Sequence, residues 1–223
     1  MYRKMLVAGF LALSAIARPA AAGTEVNGKV KVMGRPATAV VTTIIYAEPL
    51  DGKPSQAPKL YKLRQKGKSF SPRVLAVPVG SSVDFINEDP IFHNVFSLSP
   101  PSPFDLGLYR AGKSKTRTFN APALYRVFCN IHPQMTAVIL VVATPYITEA
   151  DAAGNYRLEL PPGRYRITAW SERSSEATAE VTVASTGTTA PELTLDESHY
   201  VELPHKNKYG DDYPKKGDEY PNP

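Results

Sequence analysis

The stretch Cys129-Asn-Ile-His132-Pro-Gln-Met135 sets a thiol, an imidazole and a thioether at intervals of three residues. Thiolate and thioether are soft donors and imidazole is intermediate, so the set suits copper better than a hard cation. A trigonal copper site built from two histidines and a cysteine, with a weak axial methionine, needs one further imidazole. The stretch Asp89-Pro-Ile-Phe-His93-Asn94-Val95 offers it. The chain has four histidines and one cysteine in 223 residues, so few other combinations are available. An exported protein with one cysteine has no internal disulfide. Such a cysteine is an intermolecular bridge, a reactive thiol, a buried inert residue or a metal ligand. The neighbouring His132 and Met135, with His93 in reserve, favour the ligand.

His93 and Cys129 lie 36 positions apart, so the fold must bring two separate strand ends together. Past residue 22 there is almost no helical periodicity. Short β-branched and aromatic runs recur instead, separated by Pro, Gly, Asn and Asp. They predict strands over 25–32, 39–46, 74–79, 82–86, 93–98, 115–119, 124–128, 137–142, 156–160, 165–170 and 177–183. The alternation is clearest in Tyr156-Arg-Leu158-Glu-Leu160, and Pro161-Pro162-Gly163 turns the chain into Tyr165-Arg-Ile167-Thr-Ala169 with the same alternation. The class is all-β, built as sandwiches. From Asp196 to Pro223 the apolar pattern stops. Seven acids, four lysines, four tyrosines and four prolines in 28 residues predict an extended or mobile polar tail. His199 and His205 in that tail are expected to be solvated.

The N-terminus reads as an export leader. Arg3 and Lys4 precede an apolar run from Met5 to Ala17, and an A-x-A pattern predicts cleavage after Ala22. The run is too short to span a bilayer comfortably, and no later segment is long and apolar enough for a transmembrane helix. The expected location is the periplasm. Losing Arg3, Lys4 and Arg18 with the leader, and no acid, brings the formal charge from +5 to +2. That balance, with no long basic run interleaved with aromatics, argues against nucleic acid as a partner.

These residues also carry a family resemblance. Phe70 to Ala143 resembles the cupredoxins, copper proteins of the plastocyanin and amicyanin type. The resemblance rests on Val74-Leu-Ala-Val-Pro-Val-Gly80, Val83-Asp-Phe-Ile-Asn-Glu-Asp89, His93-Asn94-Val95, Phe119, Tyr125, Phe128-Cys129, His132, Met135 and Ile139-Leu-Val-Val142. The Cys-x2-His-x2-Met spacing is similar to the short ligand loop of amicyanin. The resemblance implies a Greek-key sandwich over 58–143 and one type 1 copper ion. It makes His93, Cys129 and His132 the equatorial ligands and Met135 the axial one. Asn94 would join the two ligand loops and place hydrogen bonds near the sulfur. The flanks, 24–57 and 144–195, resemble a carboxypeptidase-regulatory-like sandwich, through Val26-Asn-Gly28-Lys-Val30 and Asp151-Ala-Ala-Gly154-Asn-Tyr156. The copper unit would then be inserted into a loop of that outer module. A plain tandem order is the alternative.

The leading functional expectation is a periplasmic carrier of single electrons, exchanging with a c-type cytochrome or a periplasmic dehydrogenase. A second reading is copper delivery, storage or sensing without electron transfer. A third is an adhesion or carbohydrate-binding sandwich contacting its ligand through Trp170 and tyrosines. No enzymatic activity is expected. Multicopper chemistry needs more histidines, a binuclear copper site needs a second cysteine, and haem attachment through Cys-x-x-Cys-His is absent. Zinc would accept the cysteine and histidines, but structural zinc seldom takes a thioether. No Gly-x-Ser-x-Gly nucleophile motif occurs.

Overall fold

The computed structural model describes residues 23–213 except 55, 56 and 203, so the expected leader and the last ten residues lie outside the described residues. The described residues form strands and no helix. In chain order the strands are β1 (Thr24–Met33), β2 (Ile44–Pro49), β3 (Leu60–Gln65), β4 (Phe70–Ser71), β5 (Val74–Pro78), β6 (Ser82–Asn87), β7 (His93–Ser97), β8 (Phe104–Tyr109) and β9 (Ser114–Thr118). They continue with β10 (Ala123–Phe128), β11 (Thr136–Val142), β12 (Ile147–Glu149), β13 (Asn155–Leu160), β14 (Gly163–Trp170), β15 (Ala177–Val183), β16 (Thr188–Thr189) and β17 (Leu193–Asp196). No described helix is long and apolar enough to cross a membrane.

Strand pairing forms two sandwiches. β3 to β11 build one, from a sheet ordered β5-β11-β10-β7-β8 facing a sheet ordered β4-β3-β6-β9. Its connections cross over: β3 pairs parallel with β6 and β5 parallel with β11, while β10 and β11 form an antiparallel hairpin. This is a Greek-key arrangement. β1, β2 and β12 to β17 build the other. There β1 pairs with β13, β16 and β17, opposite a sheet ordered β12-β2-β14-β15. β1 and β2 therefore pair with strands that follow β11, across the whole of the first sandwich.

The two bodies share apolar packing, and β11 shows how. Thr136-Ala-Val-Ile-Leu-Val-Val142 is a continuous apolar run because both of its faces are covered. Ala137, Ile139 and Val141 enter the Greek-key core with Phe85, Phe119 and Tyr125. Val138, Leu140 and Val142 face the other way, against Ile44, Tyr46 and Trp170 of the second sandwich. Trp170 is only 6% exposed, so it is a core residue and not a ready ligand contact. The second sandwich has its own core, in which the alternating Tyr156, Leu158 and Leu160 of β13 meet Tyr165, Ile167 and Ala169 of β14.

Some strands differ from the sequence expectation. The strand expected from residue 39 begins only at Ile44. β3 was not expected, because its inward face carries Leu63 and then a buried Gln65, which breaks apolar alternation. β8 escaped for a similar reason: Gly107 has a φ of 66° and a bulge interrupts the register against β7, so Phe104 and Tyr109 do not share one simple period. The tail past Asp196 makes turns at 198–199 and 208–210 and has no further strands among the described residues.

Candidate metal centre

The predicted residues meet at one end of the Greek-key sandwich. Cys129 to Met135 form the loop of the β10–β11 hairpin, which opens after the Phe128↔Thr136 pair. Two backbone bonds hold the loop in shape: the Cys129 amide donates to the Met135 carbonyl (3.2 Å) and the Met135 amide to the His132 carbonyl (3.0 Å). His93 opens β7, which lies beside β10 through the Phe128↔Phe96 pair. The strand ends thus deliver both histidines to the cysteine. His93 Nδ1 lies 3.9 Å from Cys129 Sγ, His132 Nδ1 lies 3.7 Å from it, and the two Nδ1 atoms are 3.1 Å apart. Among the described residues, His93, Cys129 and His132 are the group of His, Cys or acidic side chains whose ligand atoms converge closely enough to hold a metal ion. Met135 is fully buried in the same core as Cys129.

The surroundings set the protonation states. Burial pushes the Cys129 thiol up, while the backbone amides of Asn94, Ile131 and His132 draw it part of the way back. A thiol held high by burial loses its proton when a metal cation takes its place. Burial, the neighbouring His93 and Lys68 pull His132 down to about 4, against a smaller opposing effect of Asp89. Its ring is therefore neutral near pH 7 and can present a lone pair. His93 turns its Nε2 to the Asp89 carboxylate at 2.7 Å. In the neutral ring this bond keeps the proton on Nε2 and leaves the Nδ1 lone pair aimed at Cys129 and His132. Two imidazole lone pairs and a buried sulfur sharing one small volume are a donor set that fits copper.

Asp89 is the residue that sequence reasoning missed. Its two oxygens accept from the Gly67 amide (2.6 Å), the Lys68 amide (2.8 Å) and His93 Nε2. Burial works to raise its pKa, but these three donors prevail and hold the carboxyl below the usual range. The two amides come from the β3–β4 hairpin, where Gly67 and Lys68 both have positive φ (61° and 54°). Successive left-handed residues turn their N–H groups into one concavity, which binds an anion. The available signal was an acid four residues before the candidate ligand His93, but its use depends on a hairpin more than twenty residues upstream.

Asn94 joins the two ligand segments. Its Oδ1 accepts from the Asn130 amide (3.3 Å) and its Nδ2 donates to Asp105 (2.6 Å). His132 is half-buried; Pro133 after it is exposed, and so are Ile91 (37%) and Phe92 (50%) just before His93. His199 is exposed, but His205 is not solvated: its ring stacks on Phe128 with centroids 4.1 Å apart and planes 13° apart. The tail meets this region through the Phe128 ring, the Cys129 carbonyl and the Asn130 side chain.

The chain matches no family model and no curated protein. It is similar to solved structures of copper proteins. One is a copper-containing nitrite reductase from Thermus scotoductus, at 30% identity over 44% of this chain and 26% of that one, with a TM-score of 0.38. Another is a purple cupredoxin from Nitrosopumilus maritimus, at 21% identity over 37% of this chain and 99% of that one, with a TM-score of 0.34. A third is an amicyanin variant in its Cu(I) form, at 20% identity over 44% of this chain and 99% of that one, with a TM-score of 0.36. This chain thus spans about a quarter of the nitrite reductase it resembles.

Proposed function

We propose that this chain is a periplasmic type 1 copper protein that carries single electrons between redox partners. His93, Cys129 and His132 would be the strong ligands and Met135 the weak axial one. The observation that carries the reading is the convergence of His93 Nδ1, His132 Nδ1 and Cys129 Sγ, each within 3.9 Å of the others, at a buried strand end. Copper would supply a one-electron couple there, in a site whose ligands need little rearrangement between oxidation states. The chain's own residues hold that geometry. Asp89 orients His93, Asn94 fastens the Cys129 loop to β7, and the hairpin bonds fix His132 against Met135.

His132 would be the electron port, since it is half-buried and its own loop and the segment before His93 expose the apolar residues Pro133, Ile91 and Phe92. That apolar rim suits a small, weak interface below about 1,200 Å² with a c-type cytochrome or a periplasmic dehydrogenase. A carrier is favoured over an enzyme by the supply of histidines. Of the four in the chain, two serve this cluster, His205 stacks on Phe128 and His199 is exposed, which leaves no set for a second, catalytic copper. The second sandwich, over 24–57 and 144–195, would be the carboxypeptidase-regulatory-like module that carries the copper unit as an insertion at 58–143.

The test is the visible and paramagnetic-resonance spectrum of the protein loaded with Cu(II). An intense sulfur-to-copper absorption is expected, and Cys129→Ser should abolish it. A colourless loaded wild type overturns the reading. Rapid surrender of the metal to a chelator, with slow reduction by a cytochrome, would instead identify a copper courier.

A further inference from the structure

The polar tail runs back to the hairpin loop that holds Cys129. We propose that residues 204–213 form a strap that positions the cysteine ligand, by closing a ring of hydrogen bonds around both ligand-bearing segments. The proposal rests on the reading of Cys129 as a metal ligand.

The ring has four members from four separate parts of the chain. The Lys208 amide donates to Asn130 Oδ1 (3.0 Å), and the Asn130 amide donates to Asn94 Oδ1 (3.3 Å). Asn94 Nδ2 donates to Asp105 Oδ1 (2.6 Å), and Lys208 Nζ closes the circuit on Asp105 Oδ2 (2.7 Å). Without the tail, β7, β8 and the metal loop would be joined by an open chain. With it, the loop and the His93 strand are tied at both ends.

Two further contacts fall on the residues beside the ring. Tyr213 donates its hydroxyl hydrogen to the Cys129 carbonyl (2.9 Å), and His205 stacks on Phe128. The tail therefore touches Phe128, Cys129 and Asn130, three consecutive residues centred on the sulfur ligand. The strap has a built shape of its own. Asn207 is buried and folds the turn by accepting from the Tyr209 and Asp211 amides (2.9 and 3.0 Å), while Tyr213 meets His205 edge-on.

These contacts are more than general packing. Most are polar, and they end on main-chain or short side-chain atoms of the metal loop, where they restrict position more than they bury apolar area. A ligand site depends on such support, because a displacement of about half an ångström alters the bonding geometry.

The experiment uses two full-length variants. Tyr213→Phe keeps the ring and removes the hydroxyl; Lys208→Met keeps the amide bond and removes the cation. In metal-free protein, the rate at which a thiol reagent labels Cys129 should rise about three- to tenfold in Tyr213→Phe, the change that one lost hydrogen bond produces. In copper-loaded protein, both variants should shift the sulfur-to-copper band and the reduction potential. A tail that merely adds stability would lower the melting temperature and leave band and potential where they are, and that result overturns the proposal. If Tyr213→Phe fails to fold, Lys208→Met carries the same readouts. Faster labelling in a protein that binds no copper would support the strap and refute the copper reading.

Discussion

Removing the Asp89 carboxylate tests whether the centre depends on a partner behind its first histidine. Asp89 Oδ1 accepts from Gly67, and Oδ2 accepts from both Lys68 and His93. Asp89→Asn can satisfy two of these donors by placing its carbonyl on the Oδ2 side, which sets its NH2 against the Gly67 amide. One bond is lost and two become neutral, at a cost to metal-free stability of about 2 kcal/mol. His93 keeps its orientation but loses the charge behind Nε2, so copper affinity should fall about tenfold, the lower end for such an outer contact. Asp89→Ala leaves all three donors without the carboxylate and frees the ring to turn. Its affinity loss should approach a hundredfold, about 2.7 kcal/mol. Competition against a chelator of known affinity measures the metal term, and urea unfolding of the metal-free protein measures the other. Wild-type affinity in Asp89→Ala would refute the reasoning, and equal losses in the two variants would refute the part assigned to orientation.

Met135→Leu should retain copper and change the reduction potential, since an axial thioether bonds weakly; loss of all copper would argue for a different geometry. Glu197 is buried, which tends to raise its pKa, but hydrogen bonds from Arg35 and Ser171 hold it below its ordinary value of 4.5. A depressed carboxylate stabilises the fold above that value and ceases to do so as pH falls through its folded pKa. Glu197→Gln should be about 1–3 kcal/mol less stable at pH 7, with the gap to wild type narrowing below pH 4.5 in unfolding measured across pH; a constant gap counts against the linkage. Trp170→Ala should cost about 3–5 kcal/mol and, because Trp170 joins the core shared by the two sandwiches, split thermal unfolding into two transitions in calorimetry; a single transition with little loss would remove Trp170 from that role.

The candidate ligand residues were legible because metal chemistry depends on residue type, and this chain is poor in the types concerned. A single cysteine with histidine and methionine at short spacing leaves few partners, and His93 in the structure is where the elimination put it. The β10–β11 hairpin was equally readable, since Leu124 to Phe128 and Ala137 to Val142 carry strand composition on either side of the ligand loop. That both faces of Thr136–Val142 are covered emerged only from the packing of the two sandwiches. Asp89 was not legible in the same way. A single acid in a loop signals nothing until two amides and an imidazole surround it, and those donors arise from separate segments.

The tail divides along the same line. Its composition determined that it has no core of its own, because too few apolar side chains are available to offset the entropy of ordering. Where residues 205–213 lie was decided only by tertiary structure, for they meet the Cys129 loop through hydrogen bonds and one ring stack made to atoms about eighty positions away. The sequence by itself determined an all-β chain and the donor types of a candidate metal site. The distances between the donors, the carboxylate behind His93 and the strap on the cysteine loop were decided by the fold. Donor chemistry belongs to side chains one at a time, whereas position belongs to strand register and to loops that meet only in three dimensions.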